Sequence, residues 1–192
     1  MSAIREAFLF LIKIVFELYF LIVLIRFMFE YFKVQTSTLP PIVPYIYKVT
    51  DPLIQPLQKF LPTHKGIPLA TGVLLFLIKA IEFLFIILLM KGGVPSLIAL
   101  LIWPIGELFS QTLNFFCIAV IVVAIASWFM PNQYSPFSAL LIQITDIVLK
   151  PARRIIPPLA GFDLSPIAVL IVLKFIDLLI AVPLIRIGFS LA

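Results

Sequence analysis

Residues 67–90 read IPLATGVLLFLIKAIEFLFIILLM, and residues 164–187 read LSPIAVLIVLKFIDLLIAVPLIRI. Each run exceeds the roughly 20 apolar residues that an α-helix needs to cross about 30 Å of hydrocarbon. Each also carries a lysine and, one turn later, an acid near its middle: Lys79 and Glu82, then Lys174 and Asp177. Two further runs of this kind lie at about 7–29 and 107–130. The whole chain agrees with them. Of its 192 residues 63% are hydrophobic and 12% charged, and the mean hydropathy is +1.22. A soluble domain is nearer half apolar and a quarter charged. The pattern therefore predicts an all-α membrane protein with four transmembrane helices.

The first run is too long for the apolar core of a signal peptide, carries Lys13 and Glu17, and is followed by no small-x-small cleavage pattern. It is read as a retained span. A shorter apolar piece, Val94 to Ile105, follows Gly92-Gly93 and contains Pro104. It is too short to span, and a half-helix or interfacial turn is expected there. The alternative is a broken span made by fusing it to the third run.

The chain repeats itself. A shift of 95 residues sets Pro41 on Pro136, Thr50-Asp51 on Thr145-Asp146, Pro56 on Pro151, Pro62 on Pro157, Gly66 on Gly161 and Lys79 on Lys174. Membrane composition forces apolar matches, but not these. A shift of 101 aligns the earlier spans, with Glu6 on Glu107 and Lys13 on Asn114. The chain divides into a first repeat, 1–92, with an amphipathic loop at 30–66, and a second, 93–192, with its loop at 131–163. Each repeat has two spans, an even number, so both enter the membrane the same way up, related by a pseudo-twofold axis along the membrane normal.

Both loops are proline-rich yet hold apolar positions at helical spacing, so each predicts an amphipathic helix that lies in the interface plane, or dips into the membrane against the bundle, without crossing it. In the second, Ser135-Pro136 reads as a helix start, followed on one face by Phe137, Leu140, Leu141, Ile144, Ile147 and Val148. In the first, Asp51 or Thr50 reads as the cap of a helix beginning at Pro52, and Asp146 is its counterpart. Pro56 and Pro151 predict short, bent helices. Basic residues cluster in these loops: Lys33, Lys48, Lys59 and Lys65, then Lys150, Arg153 and Arg154. Both loops are accordingly expected in the cytoplasm and both termini outside. The net charge of +5 then reflects orientation and anionic headgroups, not nucleic acid.

Two sets of residues carry candidate chemistry. Charges inside the bilayer cost at least about 2.5–3.5 kcal/mol each and face the protein interior or a wet cavity. Lys13, Glu17, Lys79, Glu82, Lys174 and Asp177 thus form an intramembrane charged network: either an ion or proton path along the repeat axis, or ion pairs and hydrogen bonds that fix helix register and assembly. Lys150, Arg153 and Arg154, at i, i+3 and i+4, make a basic stripe that with Asp163 is a candidate surface for docking lipid or a partner. The alternative is a plain determinant of topology. Trp103 and Trp128 suit interfacial anchoring, and Cys117 suits packing between helices. One cysteine and one histidine leave no intrachain disulfide and no metal cluster. No nucleophilic triad or phosphate loop is present, so no enzyme and no cofactor is expected.

Glu17-Leu18-Tyr19 leading to Arg26, the two Thr-Asp-x-x-x-x-Pro loops, Arg153-Arg154-Ile155-Ile156-Pro157 and Gly161-Phe162-Asp163-Leu164-Ser165-Pro166 resemble the YggT family of bacterial and plastid membrane proteins. The likeness covers both repeats. The first loop departs from the pattern: Gly66-Ile67-Pro68-Leu69-Ala70 lacks the Asp and Ser found at 163 and 165, and Gln58 replaces an Arg. The resemblance implies a multi-pass protein of the bacterial inner membrane, tied to osmotic and potassium homeostasis or to division-linked membrane organisation. It supplies no catalytic residues. Expected partners are anionic lipids and a membrane protein or a second copy of the chain.

Overall fold

The computed structural model describes residues 3–32, 43–64, 66–129, 136–156 and 163–192. They form seven helices: α1 (Ala3–Tyr31), α2 (Val43–Phe60), α3 (Leu69–Lys91), α4 (Leu97–Phe129), α5 (Pro136–Ile155), α6 (Ser165–Ile176) and α7 (Val182–Ser190). A π turn, Asp177–Ala181, joins α6 to α7 without a break. α1, α3, α4 and the continuous α6–α7 helix are each long and apolar enough to cross a membrane. The chain is an all-α, multi-pass membrane protein, and its four spans overlap the four hydropathic runs. The order span, amphipathic helix, span occurs twice.

α4 runs through Pro104, so residues 94–105 are not a separate half-helix as expected: most of them lengthen the third span. The proline forfeits one i→i−4 bond, and several contacts outweigh that loss. Ser96 Oγ accepts from the Ala99 amide at 3.2 Å, capping the helix start, and donates to the Leu191 carbonyl at 2.8 Å, tying it to the end of α7. Trp103 stacks on Phe83 of α3 with ring centroids 4.5 Å apart. It is buried, so it is a core residue and not the interfacial anchor expected. Two glycines bring α4 and α7 together. A Cβ on Gly188 would lie 2.6 Å from the Trp103 backbone, and one on Gly106 would lie 2.9 Å from the Ile185 amide nitrogen. Inside lipid no hydrophobic force gathers helices, and close backbone approach of this kind takes its place. The π turn precedes Pro183, whose ring excludes regular i→i−4 bonding.

The amphipathic helices also differ in detail from expectation. α2 begins at Val43 and runs through Pro52 and Pro56, and α5 runs through Pro151. Asp51 and Asp146 therefore stand in mid-helix and cap nothing. Thr50 and Thr145 instead bond back one turn, to the Ile46 carbonyl at 2.7 Å and the Leu141 carbonyl at 2.8 Å. The helices continue because burial holds them: Ile54 in α2, and Leu140, Ile144 and Leu149 in α5, are buried. Of the predicted α5 face Ile147 is exposed. Ser135 and the Phe137 side chain lie outside the described residues, as do Lys33, Lys65 and the Trp128 side chain. Leu140 and Ile144 enter the same apolar cluster as Phe20, Leu24 and Ile78, so α5 of one half packs into the core of the other. Cys117 is buried between α4, α5 and α6 beside Leu113, Leu149 and Val169, as its apolar surroundings implied.

Candidate functional site

A cavity of about 570 Å³ lies between the first half of α1, the second half of α3 and the first half of α4. Helical spacing builds its lining. Glu6, Lys13 and Glu17 share one face of α1, Glu82 lies one turn from Ile86 on α3, and Trp103 and Glu107 are one turn apart on α4. Four carboxylates thus meet one lysine at the wall. Behind Glu82, Lys79 is fully buried, with its Nζ 2.6 Å from Glu82 Oε2 and 4.9 Å from the centre of the Phe20 ring. Of the six intramembrane charges read from sequence, Lys13, Glu17 and Glu82 line this cavity, and Lys79 joins them through Glu82. Lys13 and Glu17, one turn apart, make no ion pair.

Lys174 and Asp177 stand elsewhere. Neither lines the cavity. Lys174 Nζ donates to Asn114 Oδ1 at 2.5 Å and lies 3.6 Å from Asp177 Oδ2. Asp177 opens the π turn, and its Oδ1 is buried without a hydrogen-bond partner. A second, apolar cavity of about 600 Å³ lies between α1, α2, α4 and α5. Its polar lining is Glu17, Gln111 and Asn114. Glu17 borders both cavities, and Asn114, on the wall of the second, holds Lys174.

At the opposite end of α1 a buried arginine organises the loop face. Arg26 Nε lies 2.8 Å from Glu30 Oε1, and its Nη1 lies 2.6 Å from both Asp51 Oδ1 and Thr50 Oγ1. The guanidinium also stacks 4.4 Å from the centre of the Tyr47 ring. Glu30 Oε2 accepts from Thr71 Oγ1 of α3 at 2.5 Å. Asp51 is thus one arm of a lock that holds α2 against α1 and α3. Its counterpart Asp146 pairs with Lys150 at 2.9 Å and Arg153 at 3.6 Å, because the shift of 101 puts Ser127 where Arg26 would be.

Arg153 Nε also lies 2.8 Å from Asp163 Oδ2, and Asp163 Oδ1 accepts the Ser165 amide at 2.9 Å. Asp163 therefore joins α5 to the start of α6. Partial burial pushes its carboxyl up, but hydrogen bonds from Ser165 and Arg153 outweigh this and hold it below the ordinary carboxylate range. Lys150, Arg153 and Arg154 are all exposed on α5. Among the described residues Arg154 makes no ion pair.

Glu6, Glu107, Glu30 and Thr71 were not among the site residues read from sequence. The match of Glu6 with Glu107 under the 101-residue shift was the signal for the first two, and the i, i+4 spacing of Arg26 and Glu30 was available for the third. Nothing local marked Thr71. Among the described residues no group of three or more histidines, cysteines or carboxylates is placed to hold a metal ion.

The CCB3/YggT family model matches the chain twice, over residues 5–89 and 102–184. The chain belongs to the CCB3/YggT family. The two matches fit the tandem repeat. An uncharacterized protein of Pseudomonas aeruginosa is 38% identical over 181 residues, covering 94% of this chain and 91% of its own. The uncharacterized protein YggT of Escherichia coli K12 is 30% identical over 175 residues, covering 90% and 88%. A Vibrio alginolyticus relative encoded beside proC is 30% identical over 171 residues, covering 88% and 91%. No solved structure gives a significant match.

Proposed function

We propose that this CCB3/YggT family member is a non-enzymatic protein of the bacterial inner membrane that supports ion and osmotic homeostasis, potassium above all, directly or through a partner. The observation that carries this reading is the cavity between α1, α3 and α4, where Glu6, Glu17, Glu82 and Glu107 face one lysine, Lys13. Carboxylates set in low-dielectric walls focus a negative potential and concentrate cations. With no close set of metal ligands among the described residues, hydrated monovalent cations fit better than a dehydrated metal ion. Lys79 neutralises Glu82 and fixes the register of α3, while Glu6, Glu17 and Glu107 face the passing ion. Lys174 and Asp177 extend the polar track by way of Asn114.

The test is potassium flux in proteoliposomes containing only this protein, under an imposed gradient and membrane potential. The expected result is flux that falls at least tenfold in Glu17→Gln/Glu107→Gln. Flux unchanged by that pair, or none from folded protein, overturns the direct form of the reading. A second reading rests on the exposed Lys150, Arg153 and Arg154 of α5. With both amphipathic helices in the cytoplasmic interface and the termini outside, these residues would meet anionic headgroups, each contributing about 1 kcal/mol, or a division or membrane-complex partner. Loss of osmotic tolerance in Lys150→Ala/Arg154→Ala with flux intact would favour it.

A further inference from the structure

α3 and the α6–α7 helix are one element used twice, but the structure covers them differently. The 95-residue shift sets Lys79 on Lys174, Ala80 on Phe175 and Phe83 on Leu178. The three residues of α3 are buried, and α4 supplies much of the cover: Trp103 stacks on Phe83. Their counterparts are bare. Lys174 is 54% exposed, Phe175 63% and Leu178 65%. What α3 has and α6 lacks is the first span of a following repeat. α4 packs on α3 in this way, whereas α1 and α6 do not pack on one another. Two repeats joined so form an open pair and not the closed pseudo-twofold expected, with unlike ends: the bare face of α6 at one and α1 at the other.

α1 has the features of the matching end. It is the least buried of the four spans. The 101-residue shift carries Leu108 and Phe115, which pack on the apolar cluster that α3 shares with α1, α2 and α5, onto Ala7 and Ile14, both exposed. The charges are complementary as well. The cavity lining on α1 carries Glu6 and Glu17 with Lys13 between them, so two carboxylates outnumber one ammonium there, while α6 presents Lys174 in an apolar face. The register follows from the packing inside the chain. α3 and α4 run antiparallel with Phe83 against Trp103, so one turn further Lys79 faces Glu107, and the equivalent pair is Lys174 and Glu6.

We propose that two copies of the chain join end to end, α1 of each seated on α6 of the other, so that Lys174 of one copy closes the mouth of the other's carboxylate-lined cavity. Because α1 of each copy meets α6 of the other, the two contacts form one isologous interface that closes at two copies. Here it makes a ring of four repeats about a twofold axis along the membrane normal. The inference rests on the cavity's geometry and not on what the cavity carries.

The test uses the full chain in a Cys117→Ser background. The register places Phe10 of one copy beside Ile171 of the other. Oxidation of native membranes holding a mixture of the Phe10→Cys and Ile171→Cys chains is expected to give a covalent dimer, and neither variant alone gives one. Lys174→Glu lowers the dimer yield about tenfold, and adding Glu6→Lys restores it. Dimers from Ile171→Cys alone, which would mean that the face meets its own copy, overturn the proposal. So does a cross-link to some other protein in place of the dimer. Counting chains in lipid nanodiscs guards against a silent cross-link: two per disc is expected, and one at every protein density refutes the assembly.

Discussion

Glu82→Leu and Lys79→Leu, made singly and together, measure how the centre of α3 is held. The side chains of Lys79 and Glu82 are 0% and 4% exposed, and their charges stand 2.6 Å apart. At an effective dielectric near 20 their attraction is about 6 kcal/mol. Desolvation costs several kcal/mol per ion, so the intact pair contributes little on balance. Breaking it is another matter. Glu82→Leu removes the carboxylate that pairs with the ammonium, which lies over the Phe20 ring, and the expected cost is about 3–5 kcal/mol. Lys79→Leu strands Glu82 among Glu17 and Glu107, with a similar cost at neutral pH. The double variant replaces a buried pair by apolar side chains and should recover most of the loss, within about 1 kcal/mol of the parent or better. Reversible unfolding in mixed micelles, followed by loss of helical circular dichroism, reads all four corners of the cycle. Single losses below about 1 kcal/mol would refute the reasoning, because they would mean that water from the cavity already solvates both charges.

Three other outcomes are expected. Gly188→Ala adds a methyl 2.6 Å from the Trp103 backbone, where ordinary contact begins near 3.4 Å; α4 and α7 must part by several tenths of an ångström, and thermal unfolding should show a loss of about 1–3 kcal/mol. Arg26→Gln leaves Glu30 and Asp51 facing each other without their cation, so hydrogen exchange in α2 should accelerate at least tenfold while α6 and α7 keep their protection. Asp163 titrates below its ordinary value of 3.8, so the fold favours its charged form. The stability it contributes is present above that value and is lost as pH falls through the lower, folded value. The gap in melting temperature between the parent and Asp163→Asn should therefore be open at pH 7 and close as the pH drops below about 4; a gap independent of pH would show that the Arg153 contact is immaterial.

The spans were legible because lipid leaves a chain few choices. Backbone polar groups must pair within the segment, so a long apolar run crosses as a helix whatever its neighbours do. The repeat was legible for a related reason: Pro, Thr, Asp, Gly and Lys matches stand out where composition cannot produce them. That Lys79 and Glu82 would not face lipid followed from their cost alone. The grammar of helix ends misled where burial overruled it. Asp51-Pro52 has the form of a helix start, yet Ile54 and the Arg26 lock carry α2 straight through it.

Other features belong to the tertiary structure because they depend on distances between segments far apart in the chain. Glu6 and Glu107 become one site only when α1 and α4 flank α3. Trp103 is a core residue because Phe83 meets it, and Gly106 and Gly188 matter because two backbones cross there. The unequal cover of Lys79 and Lys174 is the clearest case. Both stand in similar local sequence, but α3 is flanked by two spans, α1 and α4, whereas α6 packs on α4 and lacks the second such neighbour, and Lys79 lies against Phe20 of α1. Sequence settles which segments enter the membrane because that is a local balance of transfer free energy. Which charges meet there depends on how the helices pack.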